Sequence, residues 1–384
     1  LLLPGIRRVL LVCNGYPESG RLYRNAFLHR RVVAYRAAGV LVDVVVVAQG
    51  ESPRAYEHEG ILVQVCTPKM LGETVARSAH TAIAVHFLDE VTWSALARAP
   101  AERRIVVWIH GAEIQSPKRR SFNYQDDAAL QDAIESMQRR DAFWRGLFLE
   151  QRGGLRFVFV SRTFAEEVWA DLGVRCADDR WCVIHNPIDT GLFQGPAKDP
   201  EQRLKVLSVR PHDSRIYAND LVRQAIELMA ADEAFDLLTF ELVGDGALWE
   251  ENFRGLDRYP NVILRREFLR QGEVAGLHRK YGVFLVPTRG DTQGVSRDEA
   301  MSSGLVPVTC GVGSVAEFVD DDSGILCPPE DPRALADAVL SLVKDPALFS
   351  RLSGGATARV RRQSGVDVVL PQELRMLGER AHEH

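Results

Sequence analysis

Val286-Pro287-Thr288-Arg289-Gly290-Asp291-Thr292-Gln293-Gly294-Val295-Ser296-Arg297-Asp298-Glu299-Ala300-Met301-Ser302-Ser303-Gly304-Leu305-Val306-Pro307-Val308 is the most informative run in this 384-residue chain. It starts as the end of an apolar strand, passes through a polar loop, turns helical after Gly294 and leaves through Gly304 into another apolar strand. The first N–H groups of such a helix, from about Val295 and Ser296, have no partner within it. With the helix dipole they suit an anion such as a diphosphate. Asp291 and Glu299 flank that pocket. Taken singly, Glu299 reads as an acid favouring a helix N-terminus and Asp291 as a turn residue.

Working outward, runs rich in Val and Ile at 204–209, 237–243, 262–264, 283–287, 305–309 and 324–327 alternate with helices expected near 218–231, 271–280, 296–303 and 332–343. A similar series precedes them, with strands expected at 6–12, 40–48, 61–65, 81–87, 104–110 and 156–161. The first of these leads into a loop holding Gly15, Pro17 and Gly20 and then a helical pattern over 21–38. Continuous apolar strands separated by helices argue for parallel sheets covered on both faces. Pro, Gly and Asp concentrate between Asn186 and Pro200, which marks a linker. The expected architecture is α/β: two doubly wound, Rossmann-like domains, 1–195 and 196–365, facing each other across an interdomain cleft. Residues 366–384 are expected to form a helical segment packing back toward the N-terminal domain. Ligands in such sheets bind outside the carboxyl ends of the strands.

Composition bounds the rest. Hydrophobic residues make up 46% and charged residues 26%, the balance of an ordinary globular chain with enough apolar content for two cores. A formal charge of −5 offers no overall field for nucleic acid or anionic lipid. The six cysteines form no C-x-x-C pair and most sit in apolar runs, so a reducing, cytoplasmic setting fits. No apolar run reaches the ~20 residues of a membrane span, and Leu1-Leu2-Leu3-Pro4 is too short for a signal peptide. A peripheral position at the inner face of a membrane is compatible with this. The first residue is not methionine, which leaves room for a longer multidomain polypeptide.

The 286–308 run resembles the signature of the retaining glycosyltransferases of family 4, whose fold is called GT-B: an acid, seven residues, Glu, then Ala-Met and a Gly-x-Pro-Val stretch. Asp291 stands where that family usually has Glu. The resemblance implies that Asp291 lies near the donor sugar hydroxyls, Gly294, Val295 and Ser296 near the diphosphate, and Glu299 at the ribose hydroxyls. Ser208-Val209-Arg210, with Arg215 five residues on, resembles the family's Arg and Lys that neutralise the leaving diphosphate; Arg supplies the charge in place of Lys. Val243-Gly244-Asp245-Gly246 resembles a glycine turn that lets the nucleotide approach, and Glu267-Phe268-Leu269 the place that receives the base. In the first domain, Val107-Trp108-Ile109-His110-Gly111-Ala112-Glu113 resembles the region of the catalytic histidine, which makes His110 a candidate hydrogen-bond partner of the transferred sugar. The loop of Gly15 and Gly20 resembles the one that borders donor and acceptor.

The implied activity is metal-independent, cofactor-free transfer with retention from a nucleotide diphosphate sugar, UDP- or GDP-linked, to a glycan, lipid-linked or other hydroxyl acceptor in polysaccharide or glycoconjugate biosynthesis. Asp320-Asp321-Asp322 reads as a solvated acidic loop rather than a metal site. Gln115–Arg120 and a long helix over about 126–149 read as charged, solvated faces more readily than as an acceptor groove. Two other readings stay open: a sugar-nucleotide 2-epimerase, and a catalytically inactive nucleotide-sugar-binding module of a larger assembly. A nicotinamide dehydrogenase is disfavoured, because no glycine loop completes G-x-G-x-x-G.

Overall fold

The computed structural model describes residues 8–22, 24–124 and 126–378. Ile6 and Arg7 of the expected first strand, the Leu1–Pro4 run and the last residues of the expected C-terminal segment, 379–384, lie outside them. The chain divides into two compact units. One comprises the residues up to Pro117, Gln131–Pro187 and the chain from Asp367 on; the other comprises Lys118–Leu130 and Ile188–Val366.

The first unit is built on an eight-stranded sheet: β1 (Arg8–Cys13), β2 (Leu41–Val47), β3 (Arg54–His58), β4 (Ile61–Cys66), β5 (Ala82–His86), β6 (Arg104–Ile109), β7 (Leu155–Phe159) and β8 (Trp181–Val183), in the order β3-β4-β2-β1-β5-β6-β7-β8. All pairs are parallel except β3 with β4. β5 and β6 are buried along their whole length, as their apolar runs Ala82–Val85 and Ile105–Ile109 require of strands covered on both faces. The antiparallel edge hairpin of β3 and β4 was not expected from the sequence: Arg54–His58 is polar and largely exposed, so it carries no apolar signal.

The second unit holds a six-stranded, wholly parallel sheet: β9 (Lys205–Val209), β10 (Thr239–Gly244), β11 (Val262–Arg266), β12 (Val283–Leu285), β13 (Val306–Cys310) and β14 (Ile325–Cys327). Their order, β11-β10-β9-β12-β13-β14, is the 3-2-1-4-5-6 arrangement of a doubly wound fold, with its switch point between β9 and β12. Helices Asn219–Met229 and Pro332–Lys344 cover one face through a core that includes Val222, Ile226, Leu335 and Val339. Asp331 caps the latter helix at its N-terminus, Pro332 opens it and Lys344 lies in its last turn, each matching the preference of that position.

Four local differences from the sequence reading stand out. The helix expected over 21–38 begins only at Ala26, because residues around Arg21 are held in a turn by the Arg21 N–H on the Glu18 carbonyl. The expected long helix over 126–149 is two helices, Asp127–Ser136 and Gln138–Leu149, meeting at Met137. The chain passes from one unit to the other at Pro187, earlier than the expected 195, because the Ile188 N–H bonds the Ser364 carbonyl and the Val366 N–H bonds the Ile188 carbonyl. Beyond that point helix Val366–Gly378 buries Val369, Leu374 and Leu377 in a core with Val9, Tyr35 and Trp108 of the first unit. Segment 118–130, which the sequence reading kept within the N-terminal domain, belongs to the second unit, where Ser214 Oγ donates to Asn123 Oδ1 at 3.2 Å.

Candidate functional site

In the second unit the loops leaving β9 and β12 at the switch point bring Arg210, Pro287 and the helix Val295–Ser302 together. The Arg210 backbone N–H donates to the Val243 carbonyl, which fixes the turn out of β9. Its guanidinium is buried, lies 5.3 Å from the Tyr217 ring centroid, and reaches Ser296 Oγ at 3.4 Å and the Pro287 carbonyl at 3.5 Å. Both contacts sit at the long end of the hydrogen-bond range. Nε has no partner, and no carboxylate among the described residues forms an ion pair with it. Burial lowers its pKa, and the charge of Asp291 is the largest influence in the other direction.

Gly294 is the N-cap of the helix, in the left-handed region at φ 92°, and no side chain caps that end. A Cβ there would meet the Arg297 guanidinium at 2.6 Å, so the position is closed to larger residues on two counts. Arg297 and Asp298 form a buried ion pair at 2.8 Å, Arg297 also donates to the Gln293 carbonyl, and Gln293 Nε2 donates to Asp298 Oδ2 at 3.2 Å. That cluster clamps the loop ahead of the helix from beneath. Sequence reading assigned it no role, although the Arg-Asp dipeptide stands inside the quoted run.

The remaining expected residues of this unit fall as follows. Asp291 Oδ1 accepts the Gln293 N–H at 3.2 Å, a turn bond, while its carbonyl accepts from Ser314. Glu299 Oε1 lies 3.4 Å from Gln271 Nε2, which brings it beside the chain that follows Phe268; Phe268 is 44% exposed. At Gly244, φ 158°, a Cβ would lie 1.8 Å from the Arg210 carbonyl. The glycine is therefore needed for the close passage of the Arg210 backbone, a different reason from nucleotide approach. Arg215 pairs on the surface with Glu251 at 2.9 Å. Arg289 is locked between Asp220 and Glu330. In the acidic loop Asp320 pairs with Arg359 and Asp322 with Arg351.

In the first unit the switch point lies between β1 and β5. Gly15 and Gly20 lie in the loop after β1, where the Gly15 carbonyl accepts from Asn25 Nδ2 at 3.0 Å and Gly20 takes a turn at φ 80°. His110 follows β6. Its backbone N–H and that of Gly111 donate to the two carboxylate oxygens of Glu113 at 2.6 and 2.9 Å, so Glu113, three residues on, fixes the strand exit. The His110 ring packs against Phe27, Phe87 and His86, and its Nε2 lies 2.9 Å from His86 Nδ1. Burial and the Arg31 charge hold His110 well below the usual imidazole range, so it is neutral near pH 7. Phe87 adopts φ 57°, uncommon for an aromatic residue and costly enough to need local support. Beside these residues is a cavity of about 450 Å³ lined by Asn14, Phe87, Asp89, Glu113, Arg140 and Phe143. His86 and Glu113 are the residues that sequence reading passed over. The H-x-x-E spacing was a usable signal for Glu113, whereas His86 looked like any strand-end core residue.

Among the described residues, His29, His58 and Glu59 come close enough to share a cation. The His29 nitrogens are engaged by the Tyr16 hydroxyl at 2.8 Å and by Glu59 at 3.0 Å. No helix among these residues is long and apolar enough to cross a membrane.

Comparison with known proteins adds independent findings. The profile of Glycosyl transferases group 1 matches residues 205–345, nearly all of the second sheet. D-inositol 3-phosphate glycosyltransferase 1 of Catenulispora acidiphila is 33% identical over 201 residues, 47% of each chain. The first curated relatives are matched over only 33%, 24% and 23% of their length. Sucrose-phosphate synthase from Thermosynechococcus elongatus superposes with a TM-score of 0.72 at 17% identity, covering 96% of this chain and 98% of that one. The Anabaena protein HepE, solved in complex with UDP, superposes at 0.66 and 17% identity, covering 97% and 99%. By its fold the chain is a two-domain α/β protein of the GT-B type, and its residues 205–345 match the profile of glycosyl transferases group 1.

Proposed function

We propose that the protein is a retaining, metal-independent glycosyltransferase that moves a sugar from a UDP- or GDP-linked donor to a hydroxyl acceptor. The observation that carries this reading is Arg210: a buried guanidinium without a carboxylate partner, at the switch point of a doubly wound sheet, next to an uncapped helix N-terminus. A buried cation that no carboxylate contacts directly, with only the more distant charge of Asp291 to offset it, is expensive, and a diphosphate would compensate both the guanidinium and the helix end. HepE, with the same fold, binds UDP, which supports a uridine donor as the first to try.

In this mechanism the bond from the anomeric carbon to the diphosphate breaks ahead of acceptor attack, and negative charge grows on the leaving oxygens. Arg210 and the N–H groups of Val295 and Ser296 meet that charge without reorganising; a donor of this kind is worth about 3 kcal/mol. Glu299, beside Gln271, accepts from the ribose hydroxyls, and the exposed Phe268 ring offers a face to the base. Asp291 contacts the sugar hydroxyls. His110 supplies a neutral imidazole to the sugar, and the leaving oxygen takes the acceptor's proton, so no glycosidase-like carboxylate pair is required. Arg215 can join the diphosphate only if its pair with Glu251 opens. The cavity beside Phe87 and Glu113 is the candidate acceptor pocket.

A thermal-shift series with UDP, GDP and their sugars tests the donor assignment, since a ligand at 100 times its Kd stabilises by about 2.7 kcal/mol. Glu299→Ala is expected to weaken nucleotide affinity roughly 10-fold or more with the fold intact, the loss of a hydrogen bond to a charged group. Unchanged affinity would remove Glu299 from the ribose. Nucleotide binding without hydrolysis or transfer would favour a binding module instead.

A further inference from the structure

The turn that closes the β3–β4 edge hairpin is an unusual one. Glu59 and Gly60 join the two strands, with His58 paired to Ile61, and both turn residues take positive φ, 45° and 76°. Two-residue turns of this kind favour Asn-Gly or Asp-Gly, because both central positions lie in the left-handed region. A glutamate at the first position is strained backbone, which persists where surrounding contacts hold it. The Glu59 carboxylate reaches helix Ala26–Ala37, where its Oε2 lies 3.0 Å from His29 Nε2.

His29 is 2% exposed and its Nδ1 lies 2.8 Å from the Tyr16 hydroxyl, so Nε2 is the nitrogen that faces the turn. The His58 ring stands edge-on to the His29 ring, with centroids 4.7 Å apart and planes at 80°. Among the described residues the His58 side chain makes no hydrogen bond or ion pair. One ligand atom from each of His29, His58 and Glu59 lies within 4.8 Å of the other two.

We propose that His29, His58 and Glu59 form a Zn²⁺ site that pins the β3–β4 hairpin to helix Ala26–Ala37. The donor atoms select the ion. Two imidazoles and a carboxylate, with water as the fourth ligand, suit Zn²⁺, whereas Mg²⁺ and Ca²⁺ take oxygen. Zinc bonds of about 2.0–2.2 Å at tetrahedral angles set ligand atoms roughly 3.4 Å apart, so the three must draw together. Exposed Glu59 and half-buried His58 make that adjustment around buried His29, the fixed member. The ion takes the Nε2 lone pair of His29; the ring hydrogen then sits on Nδ1 and is donated to the Tyr16 oxygen, the outer contact that orients a ligating histidine. Arg30 Nη2 lies 3.5 Å from Glu59 Oε2 and opposes a second cation there, but the carboxylate has two oxygens, one for the ion and one for Arg30.

The hairpin gains most from such a tie, because its outer strand is polar, largely exposed and hydrogen-bonded on one side only. Through Tyr16 the same ion steadies the loop after β1. None of the three ligands is assigned to the donor, so the site stands apart from the proposed transfer.

The test is calorimetric titration of Zn²⁺ into the tag-free full chain, stripped with a chelator and dialysed, beside His58→Ala and Glu59→Asn. Both substitutions lie at the turn, and Asn accepts the left-handed region, so the fold is expected to survive. The expected result is one tightly bound Zn²⁺ per chain, with affinity lowered roughly 10-fold or more in each variant. A Zn²⁺-dependent rise in melting temperature should vanish in both, and Mg²⁺ should give no response. Absence of stoichiometric Zn²⁺ binding, binding that both variants leave unchanged, or a response to Mg²⁺ equal to that of Zn²⁺ overturns the proposal. If His58→Ala fails to fold, Glu59→Asn still decides.

Discussion

Arg31 in the first unit and Arg210 in the second are both buried arginines near the carboxyl ends of parallel strands, yet the protein treats them oppositely. Arg31 is bound to Glu373 through Nε and to Asn186, with a tyrosine hydroxyl completing the carboxylate's shell. Arg210 meets a serine hydroxyl and a carbonyl at long range and no carboxylate among the described residues. The first unit uses its arginine to hold an aromatic and imidazole core in place. The second keeps its positive charge available beside an uncapped helix end. Related topologies thus hold one arginine in a buried ion pair and one with no direct carboxylate contact among the described residues, which on the proposed reading serves an anion.

The largest effect that could break this contrast is on stability. Glu373→Ala should destabilise the fold by about 3–5 kcal/mol, because it strands Arg31 in the interior. Chemical denaturation measures this, and a loss below about 1 kcal/mol would mean that Arg31 is not held as a buried pair. Arg210→Met should do the reverse: little or no loss of stability, but a fall in kcat of roughly 100- to 1,000-fold in transfer, about 3 kcal/mol on the barrier. If Arg210→Met unfolds the protein as readily as Glu373→Ala, the contrast fails.

Acid sensitivity is a smaller effect for each group and is shared by both units. His86 and His110 in the first unit are held well below the ordinary value, His29 and His212 at about 4, and His278 at about 3, burial being the leading cause each time. Below about pH 6.5 the unfolded chain binds protons that the native rings refuse, so this stability is present above pH 6.5 and is lost as pH falls toward the native values. For the most enclosed, His86, His110 and His278, the slope is up to ~1.4 kcal/mol per pH unit each. A melting temperature that does not change between pH 7 and pH 5 would contradict it. The smallest expected change comes from Arg215→Ala, which removes an exposed pair with Glu251 and should cost under about 1 kcal/mol of stability. A fall in kcat as large as that of Arg210→Met would show that this pair opens to let Arg215 reach the diphosphate.

The second sheet was legible because its chemistry is local. Strand, loop, Gly294 and helix follow one another in a single run, and both Asp291 and Glu299 lie within it. The edge hairpin at Arg54–His58 left no trace in the apolar pattern, since its strand is polar and exposed. Arg215 could be read only by its spacing, and spacing does not reveal that Glu251 lies within 2.9 Å.

By itself the sequence determined the two βα series, because alternating strands and helices depend on periodicity and on neighbours a few residues away; the roles proposed for the 286–308 run, Arg210 and Glu299 came from a helix N-terminus and a family resemblance. Only the tertiary structure decided which charges are compensated. Arg31 finds Glu373 342 positions along the chain, Arg210 finds no such partner, and His86 meets His110 only because β5 and β6 lie side by side in register. Electrostatic state depends on distance in space and on exclusion of water, and neither is written in the spacing of residues along the chain.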